Sequence, residues 1–254
     1  MAPQGLRFAT VTALAAALSL VIATAPLAEA ATVHHGTRTA KVVALTFDDG
    51  WSPARVRQIL AILVRNRVAA TFFPYARAMR SSPSTWRALV AAGYPVGNHT
   101  VSHPRLTKLS NAAIRHQICG FRAVADPILG VRSIDWFRPP YGRWNGRVAT
   151  IARSCGYRHV LLWDVDTRDW GRSSPWTIAA RALSGRDGSI VLLHAGPANT
   201  PYALQRIIDG YRARGFEFVT IPQMFATRAE VDGPPDRAVV PPLPTGMLIK
   251  ARVD

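Results

Sequence analysis

The sequence predicts an α/β fold, a distorted (β/α) barrel of about seven parallel strands with outer helices. Two observations predict it. From Val42 onward, seven short runs rich in β-branched or aromatic residues alternate with longer amphipathic stretches, and polar, titratable residues gather at one end of those runs. Strand-then-helix units in series build a parallel sheet, either open and doubly wound or closed into a barrel. A barrel carries its chemistry on the loops at the carboxyl ends of its strands.

The elements follow in order. The first run, Val42–Phe47, is followed by Asp48 and Asp49, and Ser52-Pro53 then offers an N-cap and a first-turn proline for a helix through Val64. Ala69–Tyr75 is the second run and Pro95–Asn98 the third, with Gly93 between them where a helix should stop. His99 follows the third run. Trp136–Arg138 is the fourth and closes on Arg138, while His159–Val165, preceded by Gly156 and followed by Asp166, is the fifth. Ser174-Pro175 repeats the N-cap device. Ser189–Leu193, followed by His194, is the sixth run, and Gly215 closes the last helix before Phe216–Ile221. After Phe225 the pattern stops, and Pro234 to Pro244 is proline-rich without periodicity.

With 254 residues, 48% of them hydrophobic, the chain can fill a substantial core and is not a disordered polymer. Its formal charge of +16 arises from arginines scattered over every segment, with lysine only at positions 41, 108 and 250. That distribution reads first as a solvated arginine-rich surface and second as one drawn to an anionic matrix such as a wall polymer, and neither a nucleic acid nor a stable protein partner is expected. Residues 1–30 read as a signal peptide or an N-terminal anchor: Arg7, an apolar run from Phe8 to Ala25, a break at Pro26, and Ala28-Glu29-Ala30 as a small-residue cleavage site. Residues 31–40 form a short N-terminal segment, 41–228 one domain and 229–254 a proline-rich extension. The protein is expected to be secreted or wall-associated. Export would permit a disulfide between the only two cysteines, Cys119 and Cys155, although unbonded cysteines also fill cores.

The chemistry concentrates in few residues. Between Ala31 and Ala125, Asp48 and Asp49 are the only acidic side chains. Adjacent carboxylates repel, and burying even one is costly unless a cation or hydrogen-bond donors compensate it. A strand that turns at Gly50 can aim both into one mouth. Both could instead cap the next helix, an account that serves one aspartate better than two. His99 and His103, four apart, share one face of a helical turn and can reach one ion, although the same spacing also arises on ordinary helical surfaces. Two imidazoles and one carboxylate, with positions left for water and substrate, form a catalytic zinc arrangement; cobalt and nickel suit the same donors.

Five blocks resemble the polysaccharide deacetylase (NodB-homology) family, carbohydrate esterase family four, over roughly Lys41 to Phe225. They are Thr46-Phe47-Asp48-Asp49-Gly50, His99-Thr100-Val101-Ser102-His103, Arg138-Pro139-Pro140-Tyr141-Gly142, Asp166-Thr167-Arg168-Asp169-Trp170 and Leu192-Leu193-His194. The resemblance implies a catalytic domain in which Asp48 is the general base and Asp49, His99 and His103 hold a divalent metal. It further implies that Arg138 braces Asp48, that Tyr141 lends its backbone N–H to the oxyanion, and that His194 is the general acid. Asp166 is preferred over Asp169 as the partner of His194, and Trp170 and Leu192 are expected to shape a pocket for the acetyl methyl. His34, His35, His116 and His159 match no block.

The implied activity is metal-dependent removal of N-acetyl groups from an N-acetylglucosamine-containing glycan, peptidoglycan or chitooligosaccharide. An acetyl-xylan esterase with the same mechanism is the alternative substrate reading. A glycoside hydrolase would need two carboxylates ~5–10 Å apart across the sugar, and beyond residue 30 the only glutamates are Glu217 and Glu230. A silent basic wall-binding protein would not require five intact blocks.

Overall fold

The computed structural model describes residues 30–226. The leader or anchor lies outside the described residues except for Ala30, and the proline-rich extension lies wholly outside them. In chain order the elements are β1 (Ala31–Val33), β2 (Val42–Asp49), α1 (Pro53–Asn66), β3 (Ala70–Pro74), α2 (Ala76–Arg80), α3 (Pro83–Ala91), α4 (Asn111–Leu129), β4 (Trp136–Phe137), α5 (Gly146–Ser154), β5 (His159–Leu161), β6 (Val165–Asp166), α6 (Pro175–Ala182), β7 (Ser189–His194), α7 (Thr200–Ala213), β8 (Glu217–Phe218) and α8 (Ile221–Phe225). Single 3-10 turns lie at Leu106–Lys108, Pro140–Gly142 and Asp169–Gly171. Among the described residues no helix is long and apolar enough to cross a membrane.

All pairings between these strands are parallel. β2 is central: β7 pairs along Val43–Asp48 on one edge and β3 along Leu45–Asp49 on the other. Val43 pairs with both Ser189 and Phe218, so β8 shares the β3 edge, below it. Bridges from Phe72 to Val96 and from Asn98 to Phe137 carry the sheet from β3 to β4, which pairs with β5. The chain then runs from β5 into β6, and β6 pairs with β7. That circuit returns to β2 and is the barrel.

Two expectations need correction. Pro95–Asn98 is not a regular strand but a pair of isolated bridges, because it passes from one neighbour to the other within three residues, too short a run for a ladder with either. The expected strand His159–Val165 is two strands, interrupted at Asp164. Its carboxylate accepts from the Ile190 N–H (2.7 Å), the Ser189 hydroxyl (2.8 Å) and Arg38 (2.8 Å), so a side chain replaces a ladder carbonyl at the foot of β7. The short N-terminal segment 31–40 contributes β1, which pairs with β5 while His35 bridges to Ser189.

Period-two alternation sorts the strand residues. Val43, Leu45 and Phe47 of β2, with Val191 and Leu193 of β7, pack outward against Val56, Ile59 and Leu63 of α1, Ile178 of α6 and Leu204, Ile207 and Tyr211 of α7. Ala44, Phe73 and Ile190 form a separate cluster with Trp136 and Leu161 inside the barrel. The outward layer drives folding, each buried aliphatic side chain contributing about 1.5–3 kcal/mol before entropy is counted. A third cluster packs α4 and α5 on β4 and β5 through Ile114, Ile118, Phe137, Val148 and Val160. Cys119 of α4 and Cys155, just past α5, are disulfide-bonded there.

The helix punctuation matches the sequence. α1 begins at Pro53 after Ser52, and the Ser174 hydroxyl accepts from the Thr177 N–H at the start of α6. Gly93, Gly156 and Gly215 each stand two residues beyond a helix end at positive φ.

Candidate active site

The same alternation puts Thr46 and Asp48 on the inner face of β2, in line with Ala44. Arg138, immediately after β4, enters this interior and is completely buried. Its Nη1 donates to Asp48 Oδ1 at 2.7 Å and to Thr46 Oγ1 at 2.8 Å, its Nη2 donates to the Leu162 carbonyl at 3.2 Å, and the guanidinium lies 4.6 Å from the Phe73 ring centre. A buried carboxylate thus has its counter-charge, and one of its oxygens is committed. The other, Oδ2, is 3.8 Å from His99 Nε2.

By alternation Asp49 would face the helices. It does not, because Asp49 and Gly50 both adopt left-handed backbone, at φ 70° and 78°. The turn expected at Gly50 therefore begins one residue earlier. A Cβ on Gly50 would stand 2.5 Å from the Trp86 ring, so only glycine fits beneath the turn.

His99 and His103 do not lie on a helical turn. They sit in a loop with left-handed residues at Thr100 (φ 71°) and His103 (φ 62°), pinned by hydrogen bonds from the Thr100 N–H to Asn98 Oδ1 (2.7 Å), from Asn98 Nδ2 to the Ile118 carbonyl (2.9 Å) and from the His103 N–H to Thr100 Oγ1 (2.9 Å). The four-residue spacing works for a reason other than helical periodicity. The ring centres are 4.9 Å apart.

Asp49 Oδ1 stands 3.5 Å from His99 Nε2 and 3.2 Å from His103 Nε2, buried and without a hydrogen-bond partner. His99 Nδ1 is 2.7 Å from the Arg138 carbonyl, which can only accept, so Nδ1 carries a hydrogen and Nε2 is the nitrogen turned to Asp49. Burial, then the neighbouring His99, push the His103 imidazole down to about 4, so it is neutral at pH 7. Burial opposes ionisation of Asp49, but the imidazoles of His99, His194 and His103 around it outweigh that cost and hold the carboxyl below its ordinary value. One carboxylate and two imidazoles, with ligand atoms within 4.8 Å of one another, could hold a metal ion. An orphaned buried carboxylate oxygen facing two imidazole nitrogens fits a divalent cation, and the donor set is of the zinc type.

His194 ends β7 in register with Asp48. Its Nδ1 is 2.7 Å from Asp169 Oδ1, and Asp169 Oδ2 accepts from the His194 N–H (2.8 Å) and the Thr200 hydroxyl (2.6 Å). Burial alone would lower the imidazole pKa, but the Asp169 hydrogen bond and charge, with Asp48 and Asp49 behind them, raise it to about 9. The ring is protonated at neutral pH, and Nδ1–H is committed to Asp169.

Asp166 is not the partner of His194. It is exposed and accepts from the Arg168 N–H at 2.9 Å, shaping the turn. Thr167 is buried with its hydroxyl on the Leu192 carbonyl, and Arg168 is left-handed (φ 51°), so the chain reverses and delivers Asp169 beneath His194.

The remaining expected residues divide. Tyr141 follows Pro139-Pro140 at φ 60°, and its ring meets His103 edge-on at 4.6 Å. A cleft of ≈ 670 Å³ opens above Asp49 and His103 between Trp51, Tyr75, Arg77, Ser102 and Tyr141. Trp170 is exposed and Leu192 is buried in β7 on the His194 face; neither lines this cleft. Trp51, Tyr75 and Arg77 were not expected at the site, although Trp51 directly follows the Asp-Asp-Gly turn and could have been suspected from that position.

A parallel barrel bearing a carboxylate and two histidines at the carboxyl ends of its strands, faced by a carboxylate-backed histidine, defines a hydrolase-type site. Residues 35–160 match the polysaccharide deacetylase family. The chain is 37% identical over 206 residues to a chitooligosaccharide deacetylase of Sinorhizobium fredii, covering 76% of this chain and 95% of that protein. The chain belongs to the polysaccharide deacetylase family, a family of hydrolases. It is also 37% identical over 185 residues to the peptidoglycan-N-acetylmuramic acid deacetylase PdaC of Bacillus subtilis, covering 72% of this chain and 38% of that longer protein. Among solved structures it resembles the Bc1960 peptidoglycan N-acetylglucosamine deacetylase, with TM-score 0.73 and 33% identity over 78% of this chain and 94% of that one.

Proposed function

We propose that this protein is exported and removes N-acetyl groups from N-acetylglucosamine residues of a wall glycan, with peptidoglycan the first candidate and chitooligosaccharide the second. The observation that carries the reading is the division of labour between two adjacent carboxylates. Asp48 is tied to Arg138 through one oxygen, while Asp49 turns its unpartnered oxygen to two histidines.

Asp49, His99 and His103 would hold a divalent ion, zinc by its donor set, which when bound supplies Lewis-acid polarisation of the acetyl carbonyl and a more acidic water. Arg138 holds Asp48 by Oδ1, so Oδ2 is free to take a proton from the attacking water. The Tyr141 N–H is assigned to the oxyanion of the tetrahedral intermediate. His194, its Nδ1–H held by Asp169, presents Nε2–H and gives that proton to the departing nitrogen as the C–N bond breaks. Water and amide become acetate and a glucosamine amine. Export is supported by the leader-like first thirty residues and by the bonded Cys119–Cys155 pair. The formal charge of +16 favours accumulation on anionic wall polymer.

The test is acetate release from peptidoglycan, chitooligosaccharides and acetyl-xylan, side by side at low and moderate salt, with the Asp48→Asn protein as blank. Release from the first two supports the reading. Release only from xylan overturns the amide substrate and leaves an esterase with the same site.

A further inference from the structure

Arg77 is, among the described residues, the one arginine lining the cleft above Asp49 and His103. Among the described residues, Arg38, Arg122, Arg132 and Arg138 reach carboxylates; Arg77 pairs with none. Its main chain is built into the site: the Tyr75 N–H donates to the Asp49 carbonyl (3.3 Å), the Ala76 N–H to the Thr100 carbonyl (3.0 Å) and the Arg77 N–H to the Val101 carbonyl (3.0 Å). The root of this side chain is therefore fixed relative to the loops that carry Asp49, His99 and His103. A solvated arginine elsewhere on the surface has no such anchorage to a reacting centre.

The cleft's charge is one-sided. Asp49 is its only acidic lining residue among the described residues, and that carboxylate is claimed by the histidine cluster. Trp51 and Tyr141 supply flat apolar walls of the kind a sugar ring stacks on, and Tyr75 and Ser102 supply hydroxyls. What the cleft has and does not satisfy internally is a planar, permanently charged fork suited to a carboxylate.

We infer that Arg77 is a specificity-determining residue that reads a carboxylate carried by the glycan on the sugar next to the reacting N-acetylglucosamine, so that anionic N-acetylated glycans are deacetylated in preference to neutral ones. The inference rests on the deacetylase reading above and names a feature of the substrate that reading leaves open. It separates binding of the sugar, which the aromatic walls provide, from selection among sugars, which the guanidinium provides.

The experiment uses muramic acid-containing oligosaccharides with the lactyl carboxylate either free or converted to its amide, and chitooligosaccharide alongside. The readout is the ratio of kcat/KM for the free acid to that for the amide. In the wild type the ratio exceeds one, and Arg77→Gln lowers it about 10-fold or more, the size of a lost charge-assisted hydrogen bond. Arg77→Lys recovers part of it, since an ammonium keeps the charge and loses the fork. A ratio that Arg77→Gln leaves unchanged overturns the inference, as does a wild-type preference abolished by moderate salt, which would place it in long-range attraction. Absence of acetate release from all three substrates, chitooligosaccharide included, would instead overturn the deacetylase reading itself.

Discussion

Replacing Arg138 with methionine tests the internal support of the site. The substitution keeps much of the stem's bulk over Phe73 but strips three donated hydrogen bonds, leaving the buried Asp48 carboxylate without its cation and Thr46 and the Leu162 carbonyl without a donor. Breaking a buried pair from one side costs about 3–5 kcal/mol, because the remaining charge is desolvated and unpaired. In a domain of about 150–250 residues each kcal/mol moves the midpoint by about 2–4 °C, so Tm should fall by about 6–20 °C. Urea unfolding at pH 7, in the wild-type and Asp48→Asn backgrounds, completes the cycle. With the charge at position 48 already removed, Arg138→Met should cost at least about 2 kcal/mol less than in the wild type. An equal cost in both backgrounds would refute the claim that this arginine exists to hold Asp48.

Two further outcomes follow from the geometry. Asp169→Asn removes the negative charge that holds the His194 proton, so the alkaline limb of the kcat/KM profile should move down by about one pH unit or more; an unmoved limb would detach Asp169 from the acid. Because the folded-state value of about 9 lies above the ordinary 6.5, His194 stabilises the fold fully below about pH 6.5, and that contribution is lost as pH rises through about 9. The difference between wild-type and Asp169→Asn unfolding free energies across that window checks the sign. Cys119 and Cys155 close a loop with a sequence separation of 36, so the double alanine variant should lose about 3–4 kcal/mol by urea unfolding. A reductant should destabilise the wild type and leave that variant unchanged.

Much of the site was legible because its residues stand where a strand stops. Asp48, Arg138 and His194 follow from strand alternation and strand ends, and these are fixed by apolar patterns visible in the sequence. Asp169 was harder, since β6 is two residues long and cannot signal register. What chooses Asp169 over Asp166 is a left-handed Arg168 and a buried Thr167 hydroxyl, and neither has a periodic signature. The histidine pair was found through a helical spacing that the loop does not use. The break in His159–Val165 depends on Asp164 meeting Ser189, Ile190 and Arg38, and β1 depends on a distant partner strand, so both lie beyond local sequence preference.

The central claim is that two neighbouring carboxylates have different work, and bound metal measured beside acetate release in Asp48→Asn and Asp49→Asn tests it most directly. Asp48→Asn should keep about one divalent ion per chain and lose turnover by ~10²–10⁴, as for a missing general base. Asp49→Asn should lose the ion and the activity together, as should His99→Ala and His103→Ala. Equal metal loss in the two aspartate variants, or full activity in the wild type after exhaustive chelation, would contradict the account.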